Sequence, residues 1–474
     1  MRRKSLALTA ATLWLAAIPA AARAQSPQEN DLSPPLQDDK NANAAESSYT
    51  AGSAAHTQTQ TPPADSAHTT SATETNVEDT QNANASSQPS QPRVSINPRG
   101  LRISSADGNF AVALHAYAQP YLYVFAGEHT ANSPNGFGVR TFRIAIDADV
   151  SEYVSFRYGL DVLHGQTRIY DAAATLRPHD ALSIRMGQQS AIFGLERTQS
   201  PTGTAFLDRS MVAEVAPNRD VGAVVDVRPY RGLQIELGAF NGVDDGAVFS
   251  QLQDNTIEFQ GRLDISPLEL ADTDTDVKLA VGAAVTAGNV RGSNADARLV
   301  RYRTHGRNAF IDYAPDTYAD GLRVRATAYG YLQAGSLFAL GEYAQSSVEA
   351  RSPLHEGTIT TTAWNLTASW AFGGENTFAG VVPARSVGTP RGLGALQLKA
   401  RAHGLRVEDD ADGAFLSAPD ATARAISASA GISWWLNTNA RISADYNWTT
   451  FRDQASRTSA DDEHHIAIST TVGF

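Results

Sequence analysis

The 474-residue chain has no cysteine and only four lysines (Lys4, Lys40, Lys278 and Lys399), and its remaining basic residues are all arginine. Without cysteine there are no disulfides, no thiolate metal sites and no cysteine nucleophile. Beyond the first two dozen residues no apolar stretch approaches the roughly eighteen residues that a spanning helix needs, so the chain is either soluble or a β-barrel. The formal charge of −12 lacks the basic footprint of a nucleic-acid binder. Catalytic signatures are missing too: no G-x-S-x-G, H-E-x-x-H or P-loop is present. ADTDTDVK spaces Asp272, Asp274 and Asp276 like the start of a calcium loop but lacks its glycine and distal glutamate. His464 and His465 are adjacent, hence on opposite faces of a strand, and cannot share a metal. Neither an enzyme nor a cofactor or metal is expected.

Residues 1–24 read as a signal peptide. Arg2, Arg3 and Lys4 precede an apolar run broken by Pro19, and Ala22-Arg23-Ala24 supplies small residues for cleavage after Ala24. Residues 25–96 are rich in Ser, Thr, Ala, Asn, Gln, Pro and acid, a composition that cannot bury enough apolar surface to order itself. They are expected to be a disordered linker.

From residue 97 to 474 the character changes to alternation. In TFRIAIDADV, Phe142, Ile144, Ile146 and Val150 share one face while Arg143, Asp147 and Asp149 share the other. TTTAWNLTASWAF sets Trp364, Leu366, Trp370 and Phe372 against Asn365, Thr367 and Ser369, and the tail EHHIAISTTVGF alternates in the same way to a final Phe474. A period of two is a strand signal. The polar face carries charges of both signs and the apolar face is often aromatic near its ends, which suits lipid outside and water inside. In lipid every backbone group must be paired, so such a sheet has to close. Sixteen candidate strands begin near 109, 138, 153, 167, 181, 220, 231, 255, 276, 321, 336, 358, 391, 421, 440 and 463. The expected fold is therefore an all-β, 16-stranded antiparallel transmembrane barrel. Most odd strands are followed by long polar segments and most even ones by tight turns, the pattern of long external loops and short periplasmic turns. Residues 373–390 break it with a long connection on the turn side.

GLRISSADGNFAVAL, TFRIAIDADVSEYVSFRYGLDV, MGQQSAIFGLERTQSPTGTAFLDRS and PNRDVGAVV, followed by SLFALGEYAQSSV, GALQLKARAHGL and GISWWLNTNARISADYNWTTF, resemble the phosphate-selective porin O and P family in order and spacing, from about Gly100 to Phe474. The resemblance implies a homotrimeric bacterial outer-membrane channel whose third external loop folds inward and narrows the pore. That loop corresponds to Ser190–Arg219, which places Arg197, Arg209 and Arg219 near a constriction with Glu196, Asp208 and Glu214; alternatively these charges pair and pin the loop to the wall. The resemblance also makes the terminal Phe474 a signal to the barrel-assembly machinery. The family's best-known members rely on constriction lysines and lumenal arginines. Here neither 190–219 nor 289–320 contains a lysine, and the region from 97 onward has 32 basic against 41 acidic residues.

Arginine's fork matches phosphate and carboxylate oxygens. DARLVRYRTHGRNAF gathers Arg298, Arg301, Arg303 and Arg307 with no acid between Asp296 and Asp312, either as an anion-attracting mouth or as a loop that contacts lipopolysaccharide phosphates. Arg143, Arg157, Arg177, Arg185, Arg323 and Arg325 have the parity to face the lumen, and Asp147, Asp161 and Asp264 share it. The expected function is passive diffusion of small hydrophilic solutes and ions, with an anion or phosphate preference, in contact with outer-membrane lipid. The alternatives are a general or cation-leaning porin, a non-conducting barrel acting as adhesin or anchor, and a soluble secreted β-sandwich.

Overall fold

The computed structural model describes residues 91–97, 100–126, 135–163, 166–247, 256–306, 309–410, 415–416, 422–453 and 462–474. The signal-peptide assignment and most of the linker assignment lie outside them. Paired structure begins within the segment assigned to the linker: β1 (Arg93–Asn97) forms a hairpin with β2 (Gly100–Ser104), Val94 opposite Ile103 and Ile96 opposite Leu101.

The alternating segments form sixteen barrel strands, each starting within four residues of its expected position. They are β3 (Ala111–Ala126), β4 (Gly136–Asp149), β5 (Val154–Leu163), β6 (Gln166–His179), β7 (Leu182–Ser190), β8 (Arg219–Tyr230), β9 (Leu233–Phe240) and β10 (Glu258–Ile265) in the first half. The second half has β11 (Lys278–Arg291), β12 (Tyr318–Ala334), β13 (Leu337–Arg351) and β14 (Glu356–Phe372). A small hairpin, β15 (Gly374–Thr377) and β16 (Gly380–Pro383), intervenes before β17 (Ala395–Asp409), β18 (Thr422–Asn437), β19 (Ala440–Asp453) and β20 (Glu463–Gly473). Barrel neighbours pair antiparallel in chain order, and β20 pairs with both β19 and β3, which closes the sheet. Closure removes the edges that lipid could not satisfy.

The terminal phenylalanine completes that seam. Phe474 donates its N–H to the Ala116 carbonyl at 2.9 Å, and its own carbonyl accepts from Ala116 at 3.1 Å. Where β20 ends, β2 takes over the same edge of β3, with Leu101 opposite Leu114.

Burial is inverted relative to a water-soluble protein. On β14 the polar Asn365, Thr367 and Ser369 are buried, whereas Leu366 and Trp370 are 62% and 48% exposed. The tail repeats this: His465, Ala467 and Ser469 face in, and Ile466, Ile468, Val472 and Phe474 face out. A sandwich would bury its apolar face; an exposed apolar band around a closed sheet is stable only against lipid. Among the described residues no helix is long and apolar enough to cross a membrane.

The turn side is tight at 231–232 and 335–336, where Gly232 and Gly335 take positive φ to close two-residue hairpins. The exception foreseen near 373–390 holds the β15–β16 hairpin.

Candidate functional site: a lumen open along one wall

The loop between β7 and β8, residues 191–218, is carried across the lumen by polar side chains of the far wall. Glu342 on β13 accepts the Leu195 and Glu196 amides at 2.8 and 3.0 Å. Lys399 on β17 donates to the Ala205 carbonyl at 2.6 Å, and Arg441 on β19 to that of Thr204 at 2.6 Å. Asp445 accepts the Leu207 amide at 3.2 Å. Lys399 thus does reach the loop, but it spends its charge on Asp445 at 2.7 Å. The loop begins at 191 rather than at Ser190 and ends at 218, so Arg219 belongs to β8 and projects from the wall.

The far side of the lumen is filled. Phe193, Met211, Val212 and Val215 of this loop pack with Tyr302, Phe310 and Ile311 of the loop following β11 and with Phe415. The inward Ile359, Leu405, Val407 and Phe451 of the wall complete the cluster. Beside it, the His305 ring lies tilted against His403 with centroids 4.3 Å apart, accepts from Arg401 at 3.2 Å and contacts Asn447 at 3.1 Å.

The near side is open. A cavity of about 800 Å³ runs along β3–β8 from the turn end, past Asp149, Ser155 and Arg177, to the underside of the 191–218 loop. Seven arginines line it, Arg143, Arg157, Arg177, Arg185, Arg197, Arg209 and Arg219, against three aspartates, Asp147, Asp149 and Asp171. Thus four of the six arginines assigned to the lumen by parity, and all three assigned to the constriction, reach one space.

Glu196 and Asp208 are turned away from it. Glu196 accepts the Ser210 amide and hydroxyl and lies 3.5 Å from Arg401; Asp208 takes Tyr123 at 2.6 Å and also Arg140. Glu196 and Asp208 thus pin the loop while the three arginines face the cavity; the third loop acid, Glu214, acts on Arg197 and favours its charged form. Arg197 donates to the Ala213 carbonyl, and Arg209 to those of Glu196 and Gln199. Carbonyls orient a guanidinium without neutralising it. Burial, reinforced by neighbouring Arg197, pushes the Arg209 pKa down to about 10, and burial also lowers Arg197. Both remain cations at neutral pH.

Tyr170 organises the wall beneath them. The guanidinium carbons of Arg143 and Arg219 lie 3.4 and 4.1 Å from its ring centroid. Arg143 also bonds Asp161 at 3.0 Å and donates to the Tyr117 hydroxyl at 2.9 Å, while Arg219 bonds Asp171 at 2.7 Å. Period-two reading misses Tyr170 because a bulge intervenes: Gly159 pairs with Asp171 and Leu160 with Ile169, leaving Tyr170 as the extra residue. A bulge re-aims a side chain, and here Tyr170 and Asp171 both line the cavity.

The second arginine patch is dispersed. Arg298 is buried on Asp244 at 3.0 Å, and Asp244 also holds Arg323 at 2.9 Å. Arg325 is fully buried between Asp245 at 2.6 Å and Glu258 at 2.7 Å. Between Asp296 and Asp312 the sequence has no acid, but the loop after β9 brings Asp244 and Asp245 to it. Arg301 is exposed and paired with Asp312, Arg303 is exposed, and Arg307 lies outside the described residues. Asp147 and Asp264, the lumenal acids, pair with Arg157 at 3.0 Å and Arg262 at 2.6 Å.

The phosphate-selective porin O and P family matches residues 122–474. The chain belongs to that family. This porin is a bacterial outer-membrane channel for passive diffusion. Its fold is similar to that of OprB from Pseudomonas putida, at 8% identity, 78% coverage of this chain, 95% of that one and a TM-score of 0.50. The anion-selective porin from Comamonas acidovorans aligns at 11% identity over 77% of this chain and 100% of the other, with a TM-score of 0.47. Salmonella typhi OmpF aligns at 14% identity, 78% and 98% coverage and 0.48. No curated protein matches the chain. In this porin the cavity-lining Arg197 and Arg209 hang on loop carbonyls.

Proposed function

We propose that this porin favours small anions, inorganic oxyanions among them, and conducts them along the β3–β8 wall. One observation carries the reading: an acidic chain lines its open cavity with seven arginines and three aspartates. Fixed cations in a low-dielectric enclosure concentrate anions and repel cations. The rows act in sequence. Arg177 and Arg157 meet an ion at the turn end, and Arg143, Arg219, Arg209 and Arg197 meet it under the loop. Several sites of moderate strength let an ion enter yet leave, whereas one deep site would trap it. The protein acts as a conduit and not as a catalyst.

The working unit is a homotrimer set in lipid, in line with the trimer form described for OmpT of Vibrio cholerae. Phe474 closes the seam and serves the assembly machinery, and exposed loop arginines such as Arg303 meet lipopolysaccharide phosphates. Reversal potential across a planar bilayer under a KCl gradient, with phosphate then titrated in, tests the selectivity. Anion selectivity with phosphate block is expected. Cation selectivity without block would make this a general porin, and absence of conductance would make it an anchor.

A further inference from the structure

The β15–β16 hairpin does not hang below the barrel. Its Asn376 is buried, donates from its backbone N–H to the Gly335 carbonyl at 2.9 Å and accepts from Gln397 at 2.9 Å on its side-chain oxygen. Val381 packs with Ala371, Ala395 and Trp435, all inside the wall. The tip then reaches up to the underside of the 191–218 loop. There the Gln199 side chain donates to the Phe378 carbonyl at 2.6 Å. Gly203 lies so close to Ala379 that a Cβ on it would stand 2.7 Å from that residue's carbonyl carbon and oxygen. Phe378 also joins the apolar cluster that holds Leu195.

The same Gln199 meets the ion path. Its backbone carbonyl accepts from Arg209, which lines the cavity, and Gln199 is itself 5% exposed. One residue is therefore held by the turn-side hairpin through its side chain and holds a pore arginine through its main chain. We infer that Gln199 is a positioning residue for Arg209, and that the turn-side 373–394 connection thereby sets the anion affinity of the constriction. This rests on the anion reading above. Because Gly203 tolerates no side chain against Ala379, the contact is a stop, and Arg209 sits at a height fixed from the opposite end of the barrel.

The test is a double-mutant cycle in planar bilayers with the purified full-length porin, using Gln199→Leu and Gly203→Ala, each alone and combined with Arg209→Gln. Heat-modifiable migration on gels verifies folding of each variant. The readout is the inorganic phosphate concentration that halves the chloride current. In the presence of Arg209, either substitution raises that concentration about threefold to tenfold, within the coupling seen between groups that share one network. In the Arg209→Gln background the same substitution has no further effect, because the group being positioned is gone. An equal effect in both backgrounds, or none in either, overturns the proposal. If the wild type shows no phosphate block, the anion reading has failed; the cycle is then read in single-channel KCl conductance. Non-additive changes there support the positioning role on its own, and additive ones overturn it.

Discussion

Along the β3–β8 wall arginines stand against a cavity, held by carbonyls, hydroxyls, a tyrosine ring and a few aspartates. Across the lumen the same residue type is sealed in balanced pairs. Arg298, Arg323 and Arg325, all buried, meet Asp244, Asp245 and Glu258, three charges against three. The two regions are built from similar strands of similar composition. What separates them is which loop returns onto which wall. The loops after β7 and β11 carry Phe193, Tyr302, Phe310 and Ile311 onto β13–β19 and exclude water there. The loop after β9 delivers Asp244 and Asp245, and Glu258 stands at the start of β10. A charge in a filled region must be matched because desolvation is costly, whereas a charge on a wet wall can be left in excess and act on ions.

Stability should respond most on the filled side. Arg325→Met leaves Asp245 and Glu258 buried without their cation and is expected to cost ~3–5 kcal/mol in thermal unfolding of the barrel in detergent. Reversal potential should not move; if it does, Arg325 lies on the ion path and the contrast between the walls is wrong.

Charge reversal on the wet side should do the opposite. Arg209→Glu is expected to lower the anion-to-cation permeability ratio about tenfold, ~1.4 kcal/mol, with a smaller loss of melting temperature than Arg325→Met, from the two carbonyl bonds it gives up. A large loss of stability with selectivity intact would assign Arg209 to structure.

A smaller effect comes from acidification. His305 is held well below the usual imidazole range by burial and then by Arg401, with Asp208 opposing and His465 adding. His403 and Asn447 face it as well, from β17 and β19. A group with a depressed folded pKa contributes its stability above the unfolded value of about 6.5 and loses it as pH falls below that. The loop carrying His305 should therefore loosen below pH 6.5 by up to ~1.4 kcal/mol per pH unit. Hydrogen-exchange protection in 292–306, corrected for the intrinsic rate at each pH, should fall between pH 6.5 and 5.5, and His305→Gln should flatten that fall. Equal loosening of β3–β8 would remove the distinction between the sides. Smallest of all is Arg301→Ala: its partner Asp312 is exposed, so less than about 1 kcal/mol is expected in the same melt.

Strand number, register sense and the direction of each face were legible in the sequence, since TTTAWNLTASWAF and HHIAISTTVGF alternate without interruption. The loop charges were legible in part. The resemblance grouped Arg197, Arg209 and Arg219, which line one cavity, but the sequence left open whether Glu196 and Asp208 face that space or pin the loop. Tyr170 was hidden because its bulge shifts the parity from which its face would be read. Arg298 looked unopposed because its partner Asp244 lies 54 residues away in sequence.

Alternation is a local property: each side chain faces either lipid or the interior, and two neighbours suffice to reveal it. That much the amino-acid order determined by itself, together with the closing of the sheet that follows from it. Which half of the lumen is filled, and which guanidiniums keep their charge, depends on contacts between segments such as Gln199 and Phe378 or Arg325 and Asp245. Only the tertiary structure decided these, because the net effect of a charge is set by the partner and the solvent around it, and both arrive from elsewhere in the chain.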